Sequence, residues 1–165
     1  THEAQPMKPK AFFLLYFLYS LLAITWITAI ARLFGNDTIP YHWTLTSTID
    51  AEGSKWGILA LPVVPLFLFK LFIGKARSYQ ERQAATTDRL TAQRYEIELR
   101  GIRLIHLICQ TLLCYITLAA AEYVSFFGLI VEMFLIYLII VVFNTRRKIR
   151  KLTRKSLSHN NNRNF

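Results

Sequence analysis

Very little in this sequence could cross-link it. Cys109 and Cys114 are its only cysteines, and on a helix their five-residue spacing turns them about 140° apart. They cannot pair with each other, so no disulfide framework is implied and both read as small packing residues. Acidic residues are also scarce, 10 against 20 lysines and arginines. Histidines and carboxylates nowhere fall at metal-ligand spacing. Nucleophile, base and oxyanion donors cannot be assembled from the residues present, so no catalytic residue, metal or cofactor is assigned and no enzyme is expected. Repeats are absent, and the polar end, 159–164, is expected to be disordered.

What the chain does have is long apolar blocks. Residues 11–33 carry only Arg32 at their end, residues 57–73 only Lys70, and residues 102–121 and 123–143 complete the set. A helix needs about 20 apolar residues to cross the hydrocarbon core. The second block is near the lower limit, where Trp56 at the interface and a snorkelling Lys70 help it fit. The fold class expected is all-α: an integral membrane protein with four transmembrane helices in two hairpins. The net charge of +10 raises a nucleic-acid reading, which the placement of the cations argues against. Lys8 and Lys10 precede the first block. Lys75, Arg77, Arg82, Arg89, Arg94 and Arg100 lie between the second and third. Arg146, Arg147, Lys148, Arg150, Lys151, Arg154, Lys155 and Arg163 follow the fourth. The loop between the first two blocks has only Lys55. This is the positive-inside pattern, so both termini are expected in the cytoplasm and the first loop outside. The basic tail then anchors the topology and sits on anionic lipid.

The expected organisation is an N-terminal segment 1–10, a first hairpin 11–75 with an outer loop 34–56, a cytoplasmic connector 76–100, a second hairpin 101–145 and a basic cytoplasmic tail 146–165. Met7-Lys8-Pro9-Lys10 resembles a natural beginning, which makes 1–6 an added remnant. The first block mimics a secretory signal, but it exceeds a usual h-region and is read as a retained helix. In the connector, Thr87 or Asp88 is placed to begin a helix that runs on into the third block. Glu96 four residues before Arg100 supports it. Pro62 and Pro65 interrupt the outer half of the second helix.

An ionisable group at membrane depth is costly unless paired or hydrated. Counting inward from a tight turn near Ala121-Glu122 puts Glu132 near the middle of the fourth helix. Ser125, Gly128 and Glu132 make a small, polar stripe expected to face other helices. Arg103, His106, Gln110, Cys114 and Thr117 make a second stripe on the third helix. Glu132 then either donates to Gln110 as a structural bond, or forms a proton or ion path with His106.

The loop between the first two blocks is the most defined polar stretch. Trp43 and Trp56 suit a membrane interface. His42 and Asp50 can hydrogen-bond and pin the loop, Gly53 is placed for a tight turn, and Asp50 and Glu52 stand close to the positive end of the second helix. Ile39-Pro40-Tyr41-His42-Trp43, then Asp50 and Gly53-Ser54-Lys55, resemble the signature of SdpI-type bacterial membrane proteins, P-x-H-(aromatic)-N-x-x-G-x-x-D-x-x-G-S-K, set between two helices. Pro40, His42, Trp43, Asp50, Gly53, Ser54 and Lys55 stand in place. Thr44 replaces the pattern's Asn and Ser47 its Gly. Thr48 stands where an acidic residue is frequent, and Glu52 where an aromatic is. The match covers the first hairpin alone.

The resemblance implies a multi-pass protein of the bacterial cell membrane without enzymatic activity. Its implied partners, besides the lipid bilayer, are a secreted peptide toxin against which it gives immunity and a cytoplasmic repressor that it holds at the membrane in signalling. Two other readings stay open: a small proton- or ion-coupled transporter subunit using Glu132, which would need a homo-oligomer for room, and a membrane scaffold subunit.

Overall fold

The computed structural model describes residues 9–35, 37–44 and 46–161. Among the described residues there are four helices: α1 (Pro9–Arg32), α2 (Ala60–Ala85), α3 (Arg89–Ala120) and α4 (Gly128–Asn161). Each is long and apolar enough to cross a membrane, which makes the chain a multi-pass membrane protein by length and composition. Between α1 and α2 lie two strands, β1 (Thr38–Trp43) and β2 (Ile49–Ser54), and a 3₁₀ turn, Lys55–Leu59. The expected reading of 1–6 lies outside the described residues.

The chain divides into two compact units. The first comprises residues 1–66 and 110–128: α1, both strands, the start of α2, the last third of α3 and the connection to α4. Its core is small. Ala29 of α1, Ile39 of β1, Ile58 of the 3₁₀ turn and Ala121 pack together, with Leu33 and Leu61 against them. Alanines at two of these places let the hairpin strand approach the helices closely. Gln110, Cys114 and Thr117 of α3 and Ala121 just after it are all buried, and so are Thr25, Thr28 and Arg32 of α1. Thr25 and Thr117 spend their hydroxyls on Leu21 and Leu113 carbonyls of their own helices, each at 2.8 Å. Such back-bonding lets a hydroxyl be buried without a partner from another helix.

The second unit comprises residues 67–109 and 129–165: most of α2, the first two thirds of α3 and α4 beyond Gly128. Here Gly101 of α3 meets α4 closely. A Cβ at Gly101 would stand 2.8 Å from the Thr145 side chain, so any larger residue would push the helices apart. At 32 and 34 residues, α3 and α4 run to about 48 and 51 Å, well beyond a hydrocarbon core of about 30 Å.

Several expected boundaries shift. The connector 76–100 is helical except for residues 86–88. Of the two residues placed to begin the helix, Thr87 and Asp88, it is Asp88 that starts α3: its carboxylate accepts from Leu90 N at 3.3 Å, Thr91 N at 2.9 Å and Thr91 Oγ1 at 2.5 Å. These bonds hold its pKa below the usual carboxylate range, the Thr91 hydroxyl most of all. Pro62 falls in the first turn of α2, where a missing N–H costs nothing, so only Pro65 is interior. The polar end is helical through Asn161 instead of disordered; residues 162–164 lie outside the described residues. The start of α4 also moves: it begins at Gly128, after a turn at 121–124 and residues 125–127 in no regular element.

Candidate functional site

The first unit gathers most of the loop residues singled out in the sequence. β1 and β2 pair antiparallel, with Pro40 opposite Glu52 and His42 opposite Ala51, so Tyr41 is left over as a bulge. Bulges re-aim a side chain. The Tyr41 ring lies over Gly53, close enough that a Cβ there would come within 2.8 Å of it. Gly53 therefore serves close packing inside a strand, and no glycine among the described residues has a positive φ. The tight turn expected at Gly53 is formed elsewhere, between Thr44 and Thr48.

That turn is built from hydroxyls. Thr44 N donates to Thr48 O, and Ser47 N to Thr44 O, both at 2.9 Å. Thr48 N donates back to Thr44 Oγ1 at 3.2 Å, and Thr44 Oγ1 also bonds the Thr46 and Thr48 hydroxyls at 2.8 and 2.6 Å. Ser47 takes a left-handed φ of 64°, a region that favours glycine. Its Oγ accepts from Gly128 N at 3.3 Å, which ties the turn to the first residue of α4.

Three polar pairs fix the strands. His42 Nδ1 donates to Asp50 Oδ1 at 2.6 Å. Thr38 Oγ1 donates to Glu52 Oε2 at 3.0 Å. Lys55 reaches Asp37 at 2.9 Å with its ammonium and donates its backbone N–H to the Asp37 carbonyl at 2.9 Å. The Lys55 ammonium, first as donor and then as charge, holds the Asp37 carboxyl below its ordinary value. Asp50 and Glu52 are thus spent inside the hairpin and do not stand at the start of α2, as their sequence position had implied. Ser54 precedes the 3₁₀ turn without a side-chain capping bond.

Sequence reasoning missed the connection between the hairpin and the helices. Arg32, the last residue of α1, is buried. Its Nη2 donates to the Thr38 carbonyl at 2.9 Å and to the Glu122 carboxylate. Glu122 sits at a left-handed φ of 61° in the turn after α3. Nearby, Trp43 stacks on Phe126 with ring centroids 4.4 Å apart and planes 14° from parallel. Phe126 is held in turn by Tyr115, whose hydroxyl donates to Ser125 O at 3.1 Å and accepts from Phe127 N at 2.7 Å. The available signal was the one cation that closes the first apolar block and the one carboxylate in the turn between the third and fourth, both at the same expected membrane face, residues 32 and 122.

Two cavities flank Pro40 and Trp43. One, of about 310 Å³, is lined by Ile39, Pro40, Tyr41, Trp43, Leu61, Ile116 and Ala120, with Gly53, Ser54 and Gly57. The other, of about 280 Å³, is more polar, with Ser47, Glu122 and Ser125 among its walls. Of the loop motif, Pro40, Trp43, Gly53 and Ser54 line the first cavity. His42, Asp50 and Lys55 line neither.

The polar residues of the membrane segments are placed differently. On α3, His106 and Gln110 are buried and Arg103 is half-buried, as the stripe predicts. His106 packs between Phe69, edge-on at 5.3 Å, and Phe72, stacked at 5.1 Å, in the second unit. Gln110 is fully buried, and neither of its amide atoms has a hydrogen-bond partner among the described residues. Glu132 and Ser125 are exposed and Gly128 is half-buried, and Ser125 precedes the helix. Because α4 starts at Gly128, Glu132 stands one turn inside its first residue instead of near its middle. Phe126 and Phe127 had read as helix because they are apolar.

Among the described residues no three His, Cys, Asp or Glu side chains gather to hold a metal. No protein-family model matches the chain, and neither a curated protein nor a solved structure matches it.

Proposed function

We propose that this chain is an SdpI-type bacterial membrane protein. In this reading it lies in the cell membrane with both termini in the cytoplasm and the hairpin outside. It acts without catalysis, taking up a hydrophobic secreted peptide at the hairpin end and so giving immunity. Capture of a cytoplasmic repressor by the basic end is the signalling half of the same proposal.

The observation that carries the reading is the apolar cavity of about 310 Å³ walled by Pro40, Trp43, Gly53 and Ser54. Four positions of the motif line it, in a chain where a hydrophobic peptide would arrive from the membrane surface. The motif's other positions have structural tasks that suit the resemblance. Ser47 takes the left-handed backbone at the pattern's Gly. Thr44 bonds the turn with its hydroxyl where the pattern's Asn would use its amide. His42 and Asp50 clamp the two strands. The roles are thus divided: Trp43 and Pro40 contact the peptide, and His42, Asp50 and Lys55 hold the hairpin that presents them.

The test is survival. Expression in a sensitive host should raise survival against a cognate peptide. Trp43→Ala should remove protection at an unchanged membrane level, and His42→Ala or Asp50→Ala should weaken it. Unchanged survival across a panel of secreted hydrophobic peptides would count against the proposal.

A further inference from the structure

The cations of the second unit are not alike. On α2 and α3, Arg77 is paired with Glu81 at 3.0 Å, Arg94 with Glu98 at 3.1 Å and Arg100 with Glu96 at 2.5 Å, each within one helix. Lys70, Lys75, Arg82, Arg89 and Arg103 of these helices hold no ion pair among the described residues, but they are scattered among carboxylates; on α4 the cations form one run without any. From Met133 to Phe165 the sequence contains no acidic residue. Arg146, Arg147, Lys148, Arg150, Lys151 and Arg154 are all exposed. Among the described residues none of these six holds an ion pair. Between them Thr145, Ile149 and Leu152 are half-buried at helical spacing, so the segment is one continuous helix with a packed seam and a cationic outer face.

The depth of that face is set by the apolar stretch before it. Phe143 is the last exposed apolar side chain of the span. At the helical rise, Arg146, Arg147 and Arg150 follow it by about 5, 6 and 11 Å. The polar layer of a bilayer occupies roughly 5–7 Å on each side of the hydrocarbon, and an arginine stem spans the difference. Guanidinium groups match phosphate with a two-pronged hydrogen bond.

We propose that the Arg146–Arg147–Arg150 face of α4 is a binding surface for anionic phospholipid headgroups, fixed in depth by a rigid helix and left free because no carboxylate neutralises it. The self-paired cations of α2 and α3 take no comparable part.

The test uses the full chain reconstituted in phosphatidylcholine vesicles with a minority of phosphatidylglycerol. Spin-labelled forms of the two lipids report their relative association with the protein. Phosphatidylglycerol should be enriched about two- to fourfold over phosphatidylcholine, falling toward parity in about 0.5 M salt. Arg146→Gln/Arg147→Gln/Arg150→Gln should lose the preference while its phosphatidylcholine association is unchanged. Arg77→Gln/Arg94→Gln should keep it. Equal association of the two lipids with the parent protein overturns the proposal, as does a preference that survives the triple substitution. A single-stranded DNA oligomer bound by the protein in pure phosphatidylcholine, and not displaced by phosphatidylglycerol, would assign the face to nucleic acid instead.

Discussion

Arg32 at the end of α1 donates to the Glu122 carboxylate of the turn after α3 and to the Thr38 carbonyl of β1. One buried guanidinium thereby joins three separate chain segments. Arg32 has a side chain 7% exposed, Glu122 one 43% exposed, so the two ends of the pair are not equivalent. Removing Glu122 strands a buried cation, whereas removing Arg32 leaves a carboxylate that water can reach. Glu122→Ala should destabilise by about 2–4 kcal/mol and Arg32→Met by about 1–2 kcal/mol. The double variant should cost less than the sum. Denaturant unfolding in detergent, run as a double-mutant cycle, measures this.

Ser47 holds a left-handed backbone at a cost that glycine does not bear. Ser47→Gly loses the weak bond from Gly128 N but relieves the backbone, so it should be neutral or stabilise by about 0.5–1 kcal/mol. Ser47→Val keeps the strain and adds a branched side chain, and should destabilise by about 1–2 kcal/mol. In thermal melts Ser47→Gly should unfold at or above the temperature of the parent chain, and Ser47→Val below it.

The start of α3 depends on an ionised Asp88. Its pKa is lowered in the folded chain, so its contribution is complete above the ordinary carboxylate range, near pH 4, and is lost as pH falls through the lowered value. Asp37 beside Lys55 follows the same sign. Asp88→Ala should speed amide exchange at Leu90 and Thr91 at neutral pH, and Asp88→Ser should restore part of the protection. In the parent chain the same protection should fade only on acidification below about pH 4.

Glu132 separates the transporter reading from the proposed one. It is exposed, one turn into α4, and its side chain leans back toward the helix start, where polar surroundings are near. Glu132→Gln should leave survival and thermal stability unchanged, and parent proteoliposomes should carry no ion flux above empty vesicles. Flux that vanishes with Glu132→Gln would favour the transporter.

The four spans were legible because apolar run length is a solvent-partition signal that needs no tertiary information. Asp88 was legible for the same kind of reason, since a cap acts on its own helix. The two strands were not. They are six residues each, carry Pro40 and Gly53, and lack strong alternation, so the segment reads as a loop. His42 and Asp50 were expected to meet because they lie eight residues apart in one short segment. Arg32 and Glu122, 90 residues apart, gave no local pattern. The depth of Glu132 failed on one boundary: Phe126 and Phe127 extend the apolar run, but Tyr115 and Trp43 hold them outside the helix.

Uptake of a secreted peptide at the hairpin requires the hairpin to face the cell exterior. Thr46 is exposed at the hairpin turn, far from Cys109 and Cys114 in sequence, and accepts a cysteine without loss of packing. A Thr46→Cys chain in intact cells should react with a membrane-impermeant maleimide as fully as it does after lysis. Reaction only after lysis would place the hairpin inside and contradict the proposed uptake of a secreted peptide.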